Sequence, residues 1–481
     1  MQKEDIFYLL VLVFSIPFGH ILKSCGPNWQ LKKLLSCATG LALAITFCGK
    51  DLFHSLIVIL GTCLIVKVKG AHSCRWICFG YVFGYLFLMR MLIFYGVWGQ
   101  GKYTNVTQLL VTLRMISLPF ELHKMAEKKK KMGESNAAED ISGANNTSES
   151  NGIENNNNEN NNGPVHDSVP TGAEVGVYDF LAYGYCYIGL MTGPFYTYRT
   201  YTDMLFTDHR YVETVKPAIH NLKMLPVFAG GYLLASLNFP FSHVGSDDYL
   251  NNEWGLVYHL LYLVPMFLGF RWRFYIAWLM AESACMTAGL GAYPVQCEPV
   301  SGGGPTKEAA TSETDELAYG FQTIKNVNIR AIEFATRMEY VMKDWNTTVQ
   351  WWLKTYVYRE LPIRSKPLRM FALLFISAFW HGVHPGYYLT FLSVPFVVLA
   401  EKRMVDALSP HLSEKQRYWL DWATHFCLYR SFEYLGVGFI LLKWNVVLKV
   451  WSHMYFIGHL FIFLFILLPF VIPKKVVSKV E

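Results

Sequence analysis

Charge is what this 481-residue chain has least of. Only 16% of its residues are Asp, Glu, Lys or Arg, against about a quarter in soluble domains, which excludes an ordinary soluble globular protein. Short strands of alternating polarity are missing, which excludes an outer-membrane barrel. The ten cysteines form no CxxC pair and no Cys/His ligand spacing, so neither a metal site nor a redox motif is indicated. Most of them lie in or beside apolar segments and are read as buried free thiols. Gly302-Gly303-Gly304 is followed by no Gly-Lys-Ser/Thr, which leaves a flexible connection rather than a phosphate loop. No basic-aromatic module is present, so nucleic acid is not expected as a partner. No small-x-small cleavage site follows the apolar residues 6–22, and Glu4 and Asp5 precede them, so this stretch reads as a first transmembrane helix.

What the chain has instead is apolar length. Hydrophobic residues make up 53% of it and aromatics 16%, which suits interfacial belts and a protein-lined cavity. Candidate spans are residues 6–22, 34–48, 52–66, 76–97 and 106–120, then 180–195, 222–237, 256–270 and 274–290, and finally 370–380, 387–400, 419–442 and 446–472. These predict an all-α polytopic membrane protein with roughly 9–12 transmembrane helices, the short segments being tilted, re-entrant or buried in protein. Basic residues follow the first span (Lys23, Lys32, Lys33) and the third (Lys67, Lys69, Arg75), and five of the eight residues from Lys124 to Lys131 are Lys. By the positive-inside rule these loops are cytoplasmic and the N-terminus lumenal; the lysine run would also attract anionic headgroups.

Four parts follow from this pattern: N-terminal helices over 1–131, a loop over 132–176, a core over 177–472 and a tail over 473–481. Ten of the eighteen residues from Asn145 to Asn162 are Asn, and such a stretch buries too little apolar area to offset its ordering entropy. Residues 296–321 form a second polar connection. From Asn328 to Trp345, apolar residues recur at helical spacing, which predicts one amphipathic helix with Glu333 and Arg337 paired at i,i+4.

His381 interrupts the apolar run 371–400. An ionisable group at bilayer depth faces protein or a water-filled cavity and is a functional-site hypothesis by default. Asn346 stands 35 residues earlier among Trp345, Trp351 and Trp352. A neutral imidazole can activate a hydroxyl as general base, and an uncharged amide can hold an oxyanion or orient an acceptor. No protein nucleophile is needed if the acyl donor is already a thioester, because a thiolate leaves readily. Two blander readings stand beside this one: a hydrogen-bonded core histidine, or a proton relay in a transporter, although no internal repeat of the transporter kind is found. His381-x-x-His384 lacks a third ligand, so no metal is expected.

Trp345-Asn346, Trp351-Trp352 and Ser377-Ala378-Phe379-Trp380-His381-Gly382 together resemble the membrane-bound O-acyltransferase family. The stretches at 187–195, 198–201, 271–278 and 289–294 resemble its lysophospholipid-acylating branch, and His384-Pro385-Gly386-Tyr387-Tyr388 is similar to members directed at inositol lipids. The resemblance implies a helical bundle enclosing a tunnel, with Asn346 and His381 as the catalytic pair. It implies acyl-CoA, preferentially arachidonoyl-CoA, as co-substrate with no permanently bound cofactor. Lysophosphatidylinositol would be the acceptor, acylated at sn-2 in the endoplasmic reticulum membrane; an acceptor of another kind within the same family is the alternative. Trp345 and Trp380 would flank the substrate. Lys354, Tyr358, Arg359 and Arg364 are candidates for CoA phosphates, and Arg199, Arg273 and Glu282 for the headgroup, Glu282 being expected beside Arg271 or Arg273.

Overall fold

The structure is a computed structural model that describes residues 3–99, 101–143, 175–308 and 318–472. It is built almost wholly of helices. An N-terminal group comprises α1 (Lys3–Ser24), α2 (Trp29–Cys48), α3 (Leu52–Lys69), α4 (Cys74–Phe94) and α5 (Lys102–Gly143). Then follow α6 (Val177–Gly184), α7 (Tyr198–Phe206), α8 (Val215–Leu222), α9 (Leu225–Asn238), α10 (Asp247–Leu250) and the long α11 (Gly255–Thr287). Short helices α12 (Ile329–Glu333), α13 (Met338–Asp344) and α14 (Thr347–Trp352) lead to α15 (Lys366–His381), α16 (Pro385–Leu408), α17 (Glu414–Leu441), α18 (Trp444–His453) and α19 (Ile457–Leu467).

Among the described residues, four helical stretches are long and apolar enough to cross a membrane: 6–24, 29–69, 74–94 and 215–243. A fifth counts if α18 and α19, bent by 74°, form one broken span. The outer faces carry bare Leu10, Phe14, Leu64, Leu234, Leu237 and Phe463, a coat that the hydrocarbon of a bilayer would cover favourably. Lys67 of α3 and His72, just after it, line the same pocket as Lys129 and Lys130 of α5, and Lys33 pairs with Asp179 at 2.5 Å.

Buried side chains form two clusters. One joins α2–α5 to residues around 180–205 and to Val349, Trp352 and Trp380. The other joins α9–α13 to α16–α18. Residues 345–349 pass from the second to the first, with Trp345 packed on one and Val349 within the other.

Several expectations are corrected. The span at 180–195 is not a helix beyond Gly184. Arg114 of α5, fully buried, enters this stretch, and its guanidinium donates to the carbonyls of Tyr183 (3.0 Å), Gly184 (3.2 Å), Cys186 (3.0 Å) and Ile188 (2.6 Å). Irregular backbone is tolerated inside a bundle when its polar groups find partners. The two segments 256–270 and 274–290 are one helix, because Arg271 and Arg273 lie within α11 rather than in a turn. The helix expected over 328–345 is split at 334–337. Glu333 pairs with Arg271 at 2.9 Å, and Arg337 with Asp421 at 3.0 Å; tertiary ion pairs replace the expected local one. The segment 446–472 breaks where Tyr455 and Phe456 take φ of 54° and 50°. Residues 132–143 continue α5; the rest of the expected Asn-rich loop, 144–174, lies outside the described residues, as does the tail from 473.

Arg114→Leu removes a donor from four carbonyls, of which that of Ile188 keeps the Tyr196 hydroxyl. It is expected to cost on the order of 3 kcal/mol or more, read as a lower melting temperature and a reduced monodisperse peak in detergent. Unchanged thermal stability would contradict this account of residues 183–196.

Candidate active site

A cavity of about 190 Å³ lies between the two packed clusters, and both Asn346 and His381 are on its wall. Phe267, Phe270, Phe274, Trp345, Trp380, Phe391 and Phe439 give it an apolar surface; Arg271, Gln350, Ser377 and Thr390 add polar points.

His381 is the last residue of α15. Two neighbours fix this helix end. Gly382 N–H caps the helix by donating to Ala378 O at 3.0 Å. Arg90 of α4, buried, donates from its two guanidinium arms to the carbonyls of Phe379 and Trp380. The last carbonyls of a helix lack intrahelical donors and carry partial negative charge, so a cation there satisfies both needs. Trp380 Nε1 donates to Leu109 O at 3.3 Å, which ties α15 to α5. The imidazole lies stacked on Phe391 (5.1 Å between centroids) and edge-on to Phe439 (5.2 Å, 75°). Neither ring nitrogen meets a protein donor or acceptor among the described residues, and the residue lines the cavity. The ring is gripped by its faces while its nitrogens stay available, the arrangement a general base needs.

Asn346 occupies the turn between α13 and α14 with φ 50° and ψ 49°. Asn is one of the few non-glycine residues that enter this left-handed region at small cost. The turn is held by a strand-like pairing. Val327 bridges Trp345, Asn328 N–H donates to Asp344 O at 3.1 Å, and Thr347 N–H to Asn326 O at 2.9 Å. Asn326 Oδ1 accepts from Thr348 Oγ1 at 2.6 Å, and Thr348 Oγ1 accepts from Phe195 N–H at 3.0 Å. Beneath them, Glu282 of α11 accepts from the N–H groups of Asn326 (2.6 Å) and Val327 (3.2 Å). Trp345 closes the other side by packing edge-on against Trp278 at 4.9 Å.

The remaining sequence candidates fall into three groups. Trp345 and Trp380 line the cavity as expected. Glu282 is fully buried under Asn326 and Val327, beside neither Arg271 nor Arg273 in any ion pair, and has no surface for a headgroup. Arg273 is exposed, its guanidinium lying over Phe270 (5.2 Å) and Phe274 (5.4 Å), and Arg199 sits on α7 near Asp203 at 3.8 Å; neither is on the cavity wall. Lys354 and Tyr358 belong to the π-helix Leu353–Tyr358 that follows α14. Lys354, Arg359 and Arg364 are exposed, and Tyr358 lies under the Arg369 guanidinium at 5.2 Å. All four are off the cavity wall. The sequence reading missed Arg90, Asn326 and Thr348. Arg90 alone carried a signal, as a cation inside an apolar span.

Glu282→Ala leaves two buried N–H groups without an acceptor, whereas Glu282→Gln keeps a carbonyl oxygen in place. Hydrogen–deuterium exchange over residues 323–349 is expected to rise in E282A and to stay near wild type in E282Q, with α3–α5 unaffected in both. Full protection of 323–349 in E282A would show that Glu282 does not hold the Asn346 turn.

Comparison with known proteins places the chain among its relatives. Residues 73–429 match the membrane-bound O-acyltransferase family. A Xenopus laevis protein named membrane-bound acylglycerophosphatidylinositol O-acyltransferase is 36% identical over 99% of this chain and 95% of its own length. The similarly named Homo sapiens protein is 36% identical over 95% of this chain and 92% of its own, and that of Caenorhabditis elegans 28% identical over 100% and 97%. With the match covering most of its length, the chain belongs to the membrane-bound O-acyltransferase family.

Proposed function

We propose that this protein transfers an acyl chain from acyl-CoA to the sn-2 hydroxyl of lysophosphatidylinositol, with Asn346 and His381 as the reacting pair. The observation that carries the chemistry is the shared cavity wall: an imidazole with no hydrogen bond to protein among the described residues and an uncharged carboxamide line one largely apolar space. The His381 imidazole takes the proton of the acceptor hydroxyl as its oxygen attacks the thioester carbonyl carbon. The oxyanion of the tetrahedral intermediate accepts a hydrogen bond from the Asn346 amide. The carbon–sulfur bond then breaks, and the leaving thiolate receives the proton from the imidazolium. An ester and free CoA result, with no covalent acyl-enzyme. An apolar wall strengthens each polar contact and keeps water from competing as nucleophile.

Similarity over nearly the whole chain to proteins named acylglycerophosphatidylinositol O-acyltransferases supports the inositol lipid as acceptor. An arachidonoyl preference and placement in the endoplasmic reticulum membrane rest on the family resemblance. Acyl-CoA would reach the site from the cytoplasmic side.

Membranes carrying the protein, given labelled arachidonoyl-CoA and a panel of lysophospholipids, are expected to label phosphatidylinositol most strongly. Dominant labelling of another lipid class would overturn the acceptor assignment. His381→Ala is expected to lower transfer by about a hundredfold or more at unchanged protein abundance, and Asn346→Ala by a similar factor. Normal turnover in either variant would remove that residue from the reaction.

A further inference from the structure

We infer that Arg271 is the residue that receives the phosphodiester of the acceptor lipid. This deepens the proposed function and rests on it. The argument begins with distance along the substrate. In a lysophospholipid, the reacting sn-2 oxygen and the phosphorus are separated by only a few covalent bonds. If the hydroxyl is held between His381 and Asn346, its phosphate is carried into or against the same cavity. A phosphate that loses water without a cationic or hydrogen-bonding partner is strongly disfavoured. Arg271 is the sole charged residue on the described cavity wall; the other lining side chains are apolar, aromatic or neutral polar.

The geometry leaves this guanidinium with donors to spare. Arg271 is 7% exposed and stands on α11 one position after Phe270, whose ring meets Phe439 at 5.9 Å, and Phe439 in turn meets His381 at 5.2 Å. Its Nε and Nη2 donate to the two oxygens of Glu333, at 3.3 and 2.9 Å. Tyr275 OH also donates to Glu333, at 2.8 Å, and the guanidinium lies 4.6 Å over the Tyr429 ring. A guanidinium has five N–H groups in a planar fork. Nη1 makes no hydrogen bond to a protein acceptor among the described residues, and Arg271 lines the cavity. Glu333 and the two tyrosines thus set the plane of the fork and leave one edge open to the cavity, where a phosphodiester can accept two charge-assisted hydrogen bonds. A purely structural Arg–Glu pair needs no place on the cavity wall. The site selects acceptors that carry a phosphodiester over neutral ones; it does not by itself separate inositol from other headgroups.

The test is steady-state kinetics on purified protein in nanodiscs, with lysophosphatidylinositol and arachidonoyl-CoA varied separately. Arg271→Gln strands Glu333, so the variant of choice is R271Q/E333Q, in which both charges are removed together, beside E333Q alone. The double variant is expected to raise the KM for lysophosphatidylinositol about tenfold or more while the KM for acyl-CoA stays within about twofold. E333Q, which retains the cation, is expected to keep the acceptor KM within about threefold of wild type. The inference is overturned if the double variant leaves the acceptor KM unchanged, or raises the acyl-CoA KM instead, which would place a CoA phosphate on Arg271. It is overturned equally if E333Q matches the double variant, since the ion pair would then serve packing alone. Should the double variant fail to fold, R271K, which keeps the charge and loses the fork, must raise the acceptor KM selectively; no change there overturns the inference. Failure of the wild-type protein to acylate any lysophospholipid would instead refute the function on which the inference rests.

Discussion

A carboxylate removed wholly from water must be met by donors, and Glu282 finds them in the backbone N–H groups of Asn326 and Val327. Much of the candidate site follows from that requirement. Once those amides are fixed to α11, Asn326 presents its own carbonyl and side-chain oxygen to Thr347 and Thr348, and the turn between the two segments has one place to go. Asn346 sits in that turn with a left-handed backbone that few other residues accept. Oε1 of Glu282 and Oδ1 of Asn326 are met by protein donors, while Oε2 of Glu282 and Nδ2 of Asn326 are buried without a partner among the described residues, so this network holds the turn at a cost in unmet hydrogen bonds.

The same economy operates on the histidine side. Arg90 crosses from α4 to the carbonyls at the end of α15, and aromatic rings grip the imidazole. Arg114 does a comparable service for the irregular backbone at 183–188. Three arginines, Arg90, Arg114 and Arg271, lie buried among apolar helices. The first two donate mainly to backbone carbonyls; Arg271 pairs with Glu333 and also lines the cavity. That difference separates cations that build the site from the one placed to meet a substrate.

Much of this was legible in the chain. Low charge and long apolar runs indicate a helical membrane protein, and a histidine within such a run, with an asparagine among tryptophans before it, marks both residues that share the cavity. The helix boundaries at 180–195 and 328–345 were not legible, because each is decided by a partner far away in sequence. Arg114 lies about seventy residues from the carbonyls it satisfies, and Arg271 lies 62 residues from Glu333. A periodic pattern cannot reveal that a distant cation will reward a break. Glu282 shows the reverse problem. Its position in an apolar run flags it as special, yet only the fold reveals that its donors are main-chain amides rather than a headgroup or a neighbouring arginine.

The central claim is that Asn346 and His381 act on one thioester inside one cavity. It is tested most directly by a high-resolution structure of the protein with a non-reactive thioether analogue of acyl-CoA. The expected result places the sulfur-linked carbon in the cavity, within hydrogen-bonding reach of the Asn346 amide and beside the His381 ring. An acyl chain seated elsewhere, with the two side chains facing separate spaces, would contradict it.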